Sequence, residues 1–429
     1  MSNRANGTGT DRRPHVVFVG GGFAGLEGAF SLRQTAGDRA RITLVSDQDH
    51  FLFRPNSIYV PFGLDPAKLR VPLAKPLASR GIEFVHGRAE GIDTASGRIE
   101  LGAETLPYDH AVLATGSGMR PEEIPGLAEH AEVIWTPEEM LRLRTAFVAL
   151  AEAGRRGERR RVHFLVPPNN KCAGPLYEVA LMLETWLRRQ KARASVEIVW
   201  STYESSYIQA FGPRLHELVV DEFDRRRISG HTGHVVERVD AGGAEFAGGT
   251  RVEHDLLVSF PPYVAATTFP GLPADDRGFL TTKLETREVA DHVYAPGDAG
   301  DFPVKQAFLA FLQADAVASR IASEALGVGS AAEFDPVSMC VMEQFDKATY
   351  AKVPLRLTGD PARPVEVRPD ANGDYRVGTS LAWRGGKKML GLSVPWRFRH
   401  GRPFHSGPFW AGMEIGLKAM SNVLASGSR

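Results

Sequence analysis

The chain has 429 residues, enough for two or three domains, and 43% of them are apolar, as in an ordinary globular protein. Its 51 basic residues balance 51 acidic ones, so the global positive charge of a nucleic-acid-binding protein is excluded. No apolar run is long enough for a membrane-spanning helix, because the best stretch, residues 307–326, is broken by Asp315 and Arg320. Cys172 and Cys340 are the only cysteines, with no CxxC or Cys/His cluster, so zinc and iron–sulfur sites are not expected.

Residues 1–14 are polar, lack the apolar core of a signal peptide, and are expected to be a disordered leader. A short apolar run, residues 15–19 (HVVFV), predicts a buried parallel strand. It runs directly into Gly20-Gly21-Gly22-Phe23-Ala24-Gly25 and then a helical segment. In this GxGxxG pattern Gly20 allows the tight turn, Gly22 lets backbone approach a diphosphate, and Gly25 lets helix and strand pack closely. The diphosphate then faces the free N–H groups of the helix start, next to Phe23 and Ala24. A second strand, residues 41–45, ends at Ser46 and Asp47, either of which suits an adenosine ribose.

Two later segments point to the ligand. Residues 106–116 (LPYDHAVLATG) and 293–298 (VYAPGD) resemble the strand–turn and the second cofactor motif of the two-dinucleotide-binding flavoproteins. The resemblance implies an FAD site containing Ala89, Ala114, Thr115, Gly116, Gly297, Asp298 and Lys305, with Asp298 accepting a ribitol hydroxyl. It also implies two Rossmann-like FAD/NAD(P)-binding domains in an α/β chain: residues 15–125 with 285–330 for FAD, and 126–284 for the second unit.

The second unit opens with the strand 161–166 (RVHFLV), yet Lys171, Ala173 and Leu176 stand where a nicotinamide-binding loop has glycines. Side chains there block close approach to a diphosphate, so no nicotinamide cofactor is expected. The segment Cys172-Ala173-Gly174-Pro175-Leu176-Tyr177-Glu178 instead resembles sulfide:quinone oxidoreductases and the flavoprotein subunit of flavocytochrome c sulfide dehydrogenase. Residues 49–57 (DHFLFRPNS) and the position of Cys340 agree with that likeness. It implies oxidation of sulfide at a Cys172/Cys340 pair, with electrons passing through FAD to a membrane quinone. Cys172 would carry the persulfide, Cys340 would face the flavin, and Glu178 would manage protons or simply favour a helix start.

Two departures qualify the resemblance. The family's third cysteine is missing, Trp135 lying in that region, and residues 51–65 hold no cysteine, so non-covalent FAD is expected. The rival readings are a type II NADH:quinone dehydrogenase and a degenerate flavoprotein that only binds.

Residues 383–410 carry six basic and no acidic residues, interleaved with Trp and Phe. An amphipathic helix with Phe409, Met413, Leu417, Met420 and Leu424 on one stripe is expected to follow. Residues 331–429 are therefore expected to form a C-terminal region that docks on an anionic membrane, making this a peripheral protein of a bacterial-type inner membrane. The alternative cover for that helix is the body of the protein or a second copy of the chain.

Overall fold

The computed structural model describes residues 13–371 and 373–425, so the expected leader falls outside it except for its last two residues. The first unit contains β1 (His15–Val19), α1 (Phe23–Ala36), β2 (Arg41–Ser46), β3 (Glu83–His86) and β4 (His110–Leu113). Next come α2 (Pro137–Arg155), β5 (Arg160–Val166), α3 (Gly174–Arg189), β6 (Val196–Thr202), α4 (Pro213–Arg226), β7 (Ile228–His231) and β8 (Leu256–Ser259). The chain returns to the first unit with β9 (Val293–Tyr294) and α5 (Ala307–Leu326). It ends in β10 (Val337–Glu343), β11 (Ala348–Leu357), β12 (Arg376–Ser380), α6 (Leu381–Arg399) and α7 (Pro408–Leu424).

In the first sheet the order is β9, β4, β1, β2, β3, all parallel, with Glu288–Ala290 antiparallel at the edge of β9. Parallel strands buried on both faces need apolar runs, and Val16, Val17 and Phe18 are fully buried. α1 and α5 pack together on one face, joined by the ring contact of Phe23 and Phe311 at 5.6 Å. The switch in strand order beside β1 opens a crevice at the C-terminal strand ends, where ligands of such sheets bind.

The second sheet is also parallel, in the order Ala131–Val133, β8, β5, β6, β7. It carries α3, whose Leu176, Tyr177, Val179, Ala180 and Leu183 are buried in the largest core. β10, β11 and β12 then form an antiparallel sheet that lays β10 against α3. That crossing brings Cys340 to the segment holding Cys172, although 167 residues separate them in the chain.

The C-terminal helices correct one expectation. Three of the six basic residues of 383–410 turn inward. Arg384 donates to Glu343 at 2.9 Å, Lys387 to Glu178 and to the Val341 carbonyl at 2.8 Å, and Arg397 to the Pro403 carbonyl at 2.5 Å. Trp383 is fully buried, stacked on Tyr350 at 4.1 Å, and Phe404 and Trp410 are buried too. The stripe Met413, Leu417, Met420 and Leu424 packs on the body instead of facing outward. Burial of these groups against β10, β11 and α1 outweighs exposure to a surface, because each apolar side chain gains about 1.5–3 kcal/mol when buried.

Candidate functional site

The glycine turn after β1 is fixed by close approach. Gly20 has φ +116°, and a Cβ there would lie 2.2 Å from the Ala114 carbonyl oxygen. A Cβ on Gly25 would lie 1.9 Å from the Gly20 carbonyl oxygen. Both positions therefore exclude any side chain, and the turns after β1 and β4 press together. Beside Gly22 and Gly116 (φ +78°) there is open space, with nothing within 4 Å of a Cβ on either. The first turn of α1 has no side-chain cap and no acidic residue, so its N–H groups are free for a diphosphate. Ala24, Ala114 and Gly297 crowd this turn from three sides, while Thr115 is half-buried at its rim.

Ser46, at the end of β2, is buried and accepts from the Gln48 N–H at 3.2 Å, whereas Asp47 is exposed. Ser46 also borders Gly21, where a Cβ would lie 3.0 Å from its hydroxyl. Ala89 is buried in the core behind β1 and β4, so its side chain packs and only its backbone can serve a cofactor.

Opposite this turn, Asp298 is half-buried and takes a 3.3 Å hydrogen bond from the Ser117 hydroxyl. Burial raises its pKa, while Lys305, Ser117 and Arg54 oppose the rise. Lys305 is 3% exposed, sits 3.8 Å over the Phe279 ring and donates to the Gly300 carbonyl. Burial lowers its pKa to about 7. Its own N–H reaches the Lys171 carbonyl at 3.2 Å, which ties the first unit to the Cys172 loop.

That loop folds on Asn170, whose side chain donates to the Phe260 carbonyl at 2.9 Å and accepts from the Cys172 N–H at 3.0 Å. Cys172 and Cys340 are both free thiols, partly buried against the same core. They are close enough for the charge of one to act on the other, and burial pushes each up to about 12. After burial, Asp298 and then Cys340 raise Cys172, while Glu178 raises Cys340 and Lys387 opposes the rise.

Behind Cys340 lies a chain of buried polar groups. Glu178 accepts from Lys387 and, at 2.7 Å, from the Glu343 N–H. Burial raises the Glu178 pKa, and Lys387 is the main opposing influence. Glu343 in turn accepts from Tyr59 at 2.9 Å and Arg384 at 2.9 Å. Glu178 is therefore a buried member of this network and not a solvent-facing carboxylate of the helix start. On the other side, the Arg54 guanidinium lies 4.0 Å over the Trp135 ring and donates to the Trp135 carbonyl at 2.8 Å. Burial lowers the pKa of Arg54, and Tyr263 and Asp298 are the first charges that oppose it.

Sequence reading missed Lys387, Glu343, Tyr59 and Arg54. A basic residue in a basic, aromatic run signalled a surface, and only the antiparallel sheet brings Lys387 to Glu178. The FRP segment containing Arg54 carried a signal, but its partner Trp135 lies 81 residues away.

The paired parallel sheets and the glycine cleft facing the half-buried Asp298 define the class: a flavoprotein oxidoreductase scaffold whose cleft fits non-covalent FAD. Residues 14–156 match the family described as pyridine nucleotide-disulphide oxidoreductase. Among individual proteins, the chain is 33% identical over 224 residues to the sulfide-quinone reductase of Aquifex aeolicus, covering 50% of this chain and 49% of that one. It is 30% identical over 154 residues to the demethylphylloquinone reductase NdbB of Synechocystis sp., covering 34% and 38%. The chain thus spans about half the length, or less, of these curated relatives. Its fold is similar to the sulfide:quinone oxidoreductase structure from Aquifex aeolicus, with TM-score 0.81 and 21% identity over 94% of this chain and 96% of that one. It is also similar to NDH2 from Plasmodium falciparum in complex with NADH, with TM-score 0.66 and 13% identity over 91% and 97%. The likeness to sulfide:quinone oxidoreductases expected from the motifs is thus present in both sequence and fold.

Proposed function

We propose that the protein is an FAD-dependent sulfide:quinone oxidoreductase whose redox pair is Cys172 and Cys340. The observation that carries the reading is the placement of these two thiols. They come from remote segments of the chain, and the charge of Cys340 reaches Cys172, with Asp298 on the cofactor side and the Glu178–Lys387 pair on the other. Gly20, Gly22, Gly25, Gly116, Asp298 and Lys305 would hold FAD, which when bound supplies a two-electron acceptor that a quinone can reoxidise.

The protein's own part is sulfur chemistry and proton control. In the oxidised pair, HS⁻ attacks Cys172 of the Cys172–Cys340 disulfide. One S–S bond breaks and another forms, leaving a persulfide on Cys172 and a thiolate on Cys340. Burial disfavours that thiolate, and the Lys387 ammonium favours it. Glu178, itself inclined to hold a proton, shares Lys387 with Cys340 and can take up the proton released as sulfide reacts. Lys171, Ala173 and Leu176 stand where a nicotinamide diphosphate would need glycines, which disfavours NADH as donor.

Attachment to a membrane belongs to the same reading, since quinones are lipid-soluble. Leu381, Leu392 and Trp396 of α6 and Ile415 and Val423 of α7 are exposed, Leu392 at 74% and Val423 at 82%. Among the described residues no helix is long and apolar enough to cross a membrane, so these side chains would dip into one leaflet.

The test is Cys172→Ser and Cys340→Ser. Each variant is expected to keep its yellow FAD and lose sulfide-dependent bleaching of flavin absorbance. Bleaching at the wild-type rate in either variant would show that the thiols are structural.

A further inference from the structure

The second sheet has another concavity, at the opposite end from the thiols. β5, β6 and β7 all begin there, and the last turns of α3 and α4 close it. The cleft has a volume of about 1000 Å³, and eight arginines line it against four carboxylates. Arginines of helix last turns are ordinary, because they oppose the negative end of the dipole. That accounts for Arg188, Arg225 and Arg226. It does not account for Arg159 and Arg193.

The inner arginines are held rigidly. Arg226 is 5% exposed and grips Glu184 at 2.8 Å, and Arg188 grips the other Glu184 oxygen at 2.8 Å. Arg193 donates to the Arg226 and Arg227 carbonyls at 2.7 and 2.8 Å, and its buried Nε has no hydrogen-bond partner. Of the outer arginines, Arg160, Arg161 and Arg225 pair with carboxylates, and two do not. Arg159 and Arg227 are exposed and pair with no carboxylate among the described residues. Arg227 also holds a left-handed backbone, φ +54°, at a helix end where glycine is the usual solution. The positive charges lie close enough to repel: burial lowers the pKa of Arg193, Glu184 opposes that, and Arg227 and Arg188 each lower it. A rigid arginine floor with unpaired arginines at the rim is the arrangement that recognises phosphate oxygens by forked hydrogen bonds. No aromatic side chain other than His254 lines the cleft, so no platform awaits a nucleobase.

We propose that this cleft binds a ligand through a di- or triphosphate group. Its floor is joined to the thiol site. Arg226 also donates to the Gln344 side chain at 2.9 Å and to Asp346 at 2.9 Å, just beyond the strand that carries Cys340 and Glu343. The Gln344 N–H continues to Glu343 at 3.0 Å, and Glu343 to Glu178. An anion that draws on Arg226 therefore alters the hold on the end of β10, which makes the cleft a regulatory site.

The experiment is isothermal titration of the FAD-saturated protein with inorganic tripolyphosphate, independent of any sulfide activity. Binding is expected, weakening as salt rises, and at least about tenfold weaker in Arg159→Glu/Arg227→Glu, whose side chains lie outside the core. Thermal unfolding of the double variant checks that it is folded. ATP in a parallel titration separates the sources: equal affinity points to the polyphosphate alone, and tighter binding to a nucleotide. Alkylation of Cys340 in Cys172→Ser protein is expected to change rate when tripolyphosphate is added. No heat of binding at low salt, or equal binding by the folded double variant, would overturn the site. Unchanged alkylation under saturating tripolyphosphate would overturn its regulatory role.

Discussion

In the proposed thiol chemistry Lys387 is the residue to test first. Its charge is what opposes the rise of the Cys340 pKa, so Lys387→Met is expected to raise that pKa further. Sulfide-dependent flavin reduction should then slow at neutral pH, and the rising limb of its pH profile should move to higher pH. Lys387→Arg should restore part of the wild-type profile, and an unshifted profile in the Met variant would remove Lys387 from the chemistry. Glu204 gives a test of stability. Burial raises its pKa to about 7, so the folded state holds a proton that the unfolded state releases at lower pH. Folding is therefore favoured most below the ordinary carboxylate range, and that contribution is lost as pH rises through about 7. Glu204→Gln should flatten the decline in melting temperature across that window. Gly20→Ala places a methyl in a left-handed backbone against the Ala114 carbonyl, with a backbone cost alone on the order of 1–3 kcal/mol. Lower melting temperature and loss of bound FAD are the expected result.

Among the elements, the two C-terminal helices changed most between sequence and structure. The basic run suggested electrostatic docking, but Arg384, Lys387 and Arg397 are taken up internally. Lys388, Arg399 and Arg402 remain exposed, beside Leu392 and Trp396. Liposome binding is therefore expected to be only weakly sensitive to salt, and Leu392→Ser/Trp396→Ser should release more protein than a rise in salt that screens surface charges. Stronger release by salt than by the double variant would restore the electrostatic account. The first unit, by contrast, was legible because its signals are local. The run 15–19, the three glycines and the helix that follows are consecutive in the chain, and sterics at Gly20 and Gly25 fix them regardless of the rest. The pairing of Cys172 with Cys340 was expected only through family likeness. Lys387 and Glu343 were not, because a partner 209 residues from Glu178 leaves no mark on helical periodicity.

At the scale of the whole molecule, one network, buried except at Asp346, links the second sheet, β10 and α6. Arg226, Glu184, Glu222, Asp346 and Gln344 lie at one end, and Glu178, Glu343 and Lys387 at the other. Arg226→Met would strand buried carboxylates, a loss of about 3–5 kcal/mol for such a pair. On the proposed reading this scaffold takes electrons from sulfide and gives them to a quinone. An anaerobic titration of the purified, FAD-loaded protein, following flavin absorbance, tests it most directly. Sulfide is expected to bleach the flavin, NADH to leave it unchanged, and a soluble quinone to restore the colour. Bleaching by NADH with no response to sulfide would contradict the account.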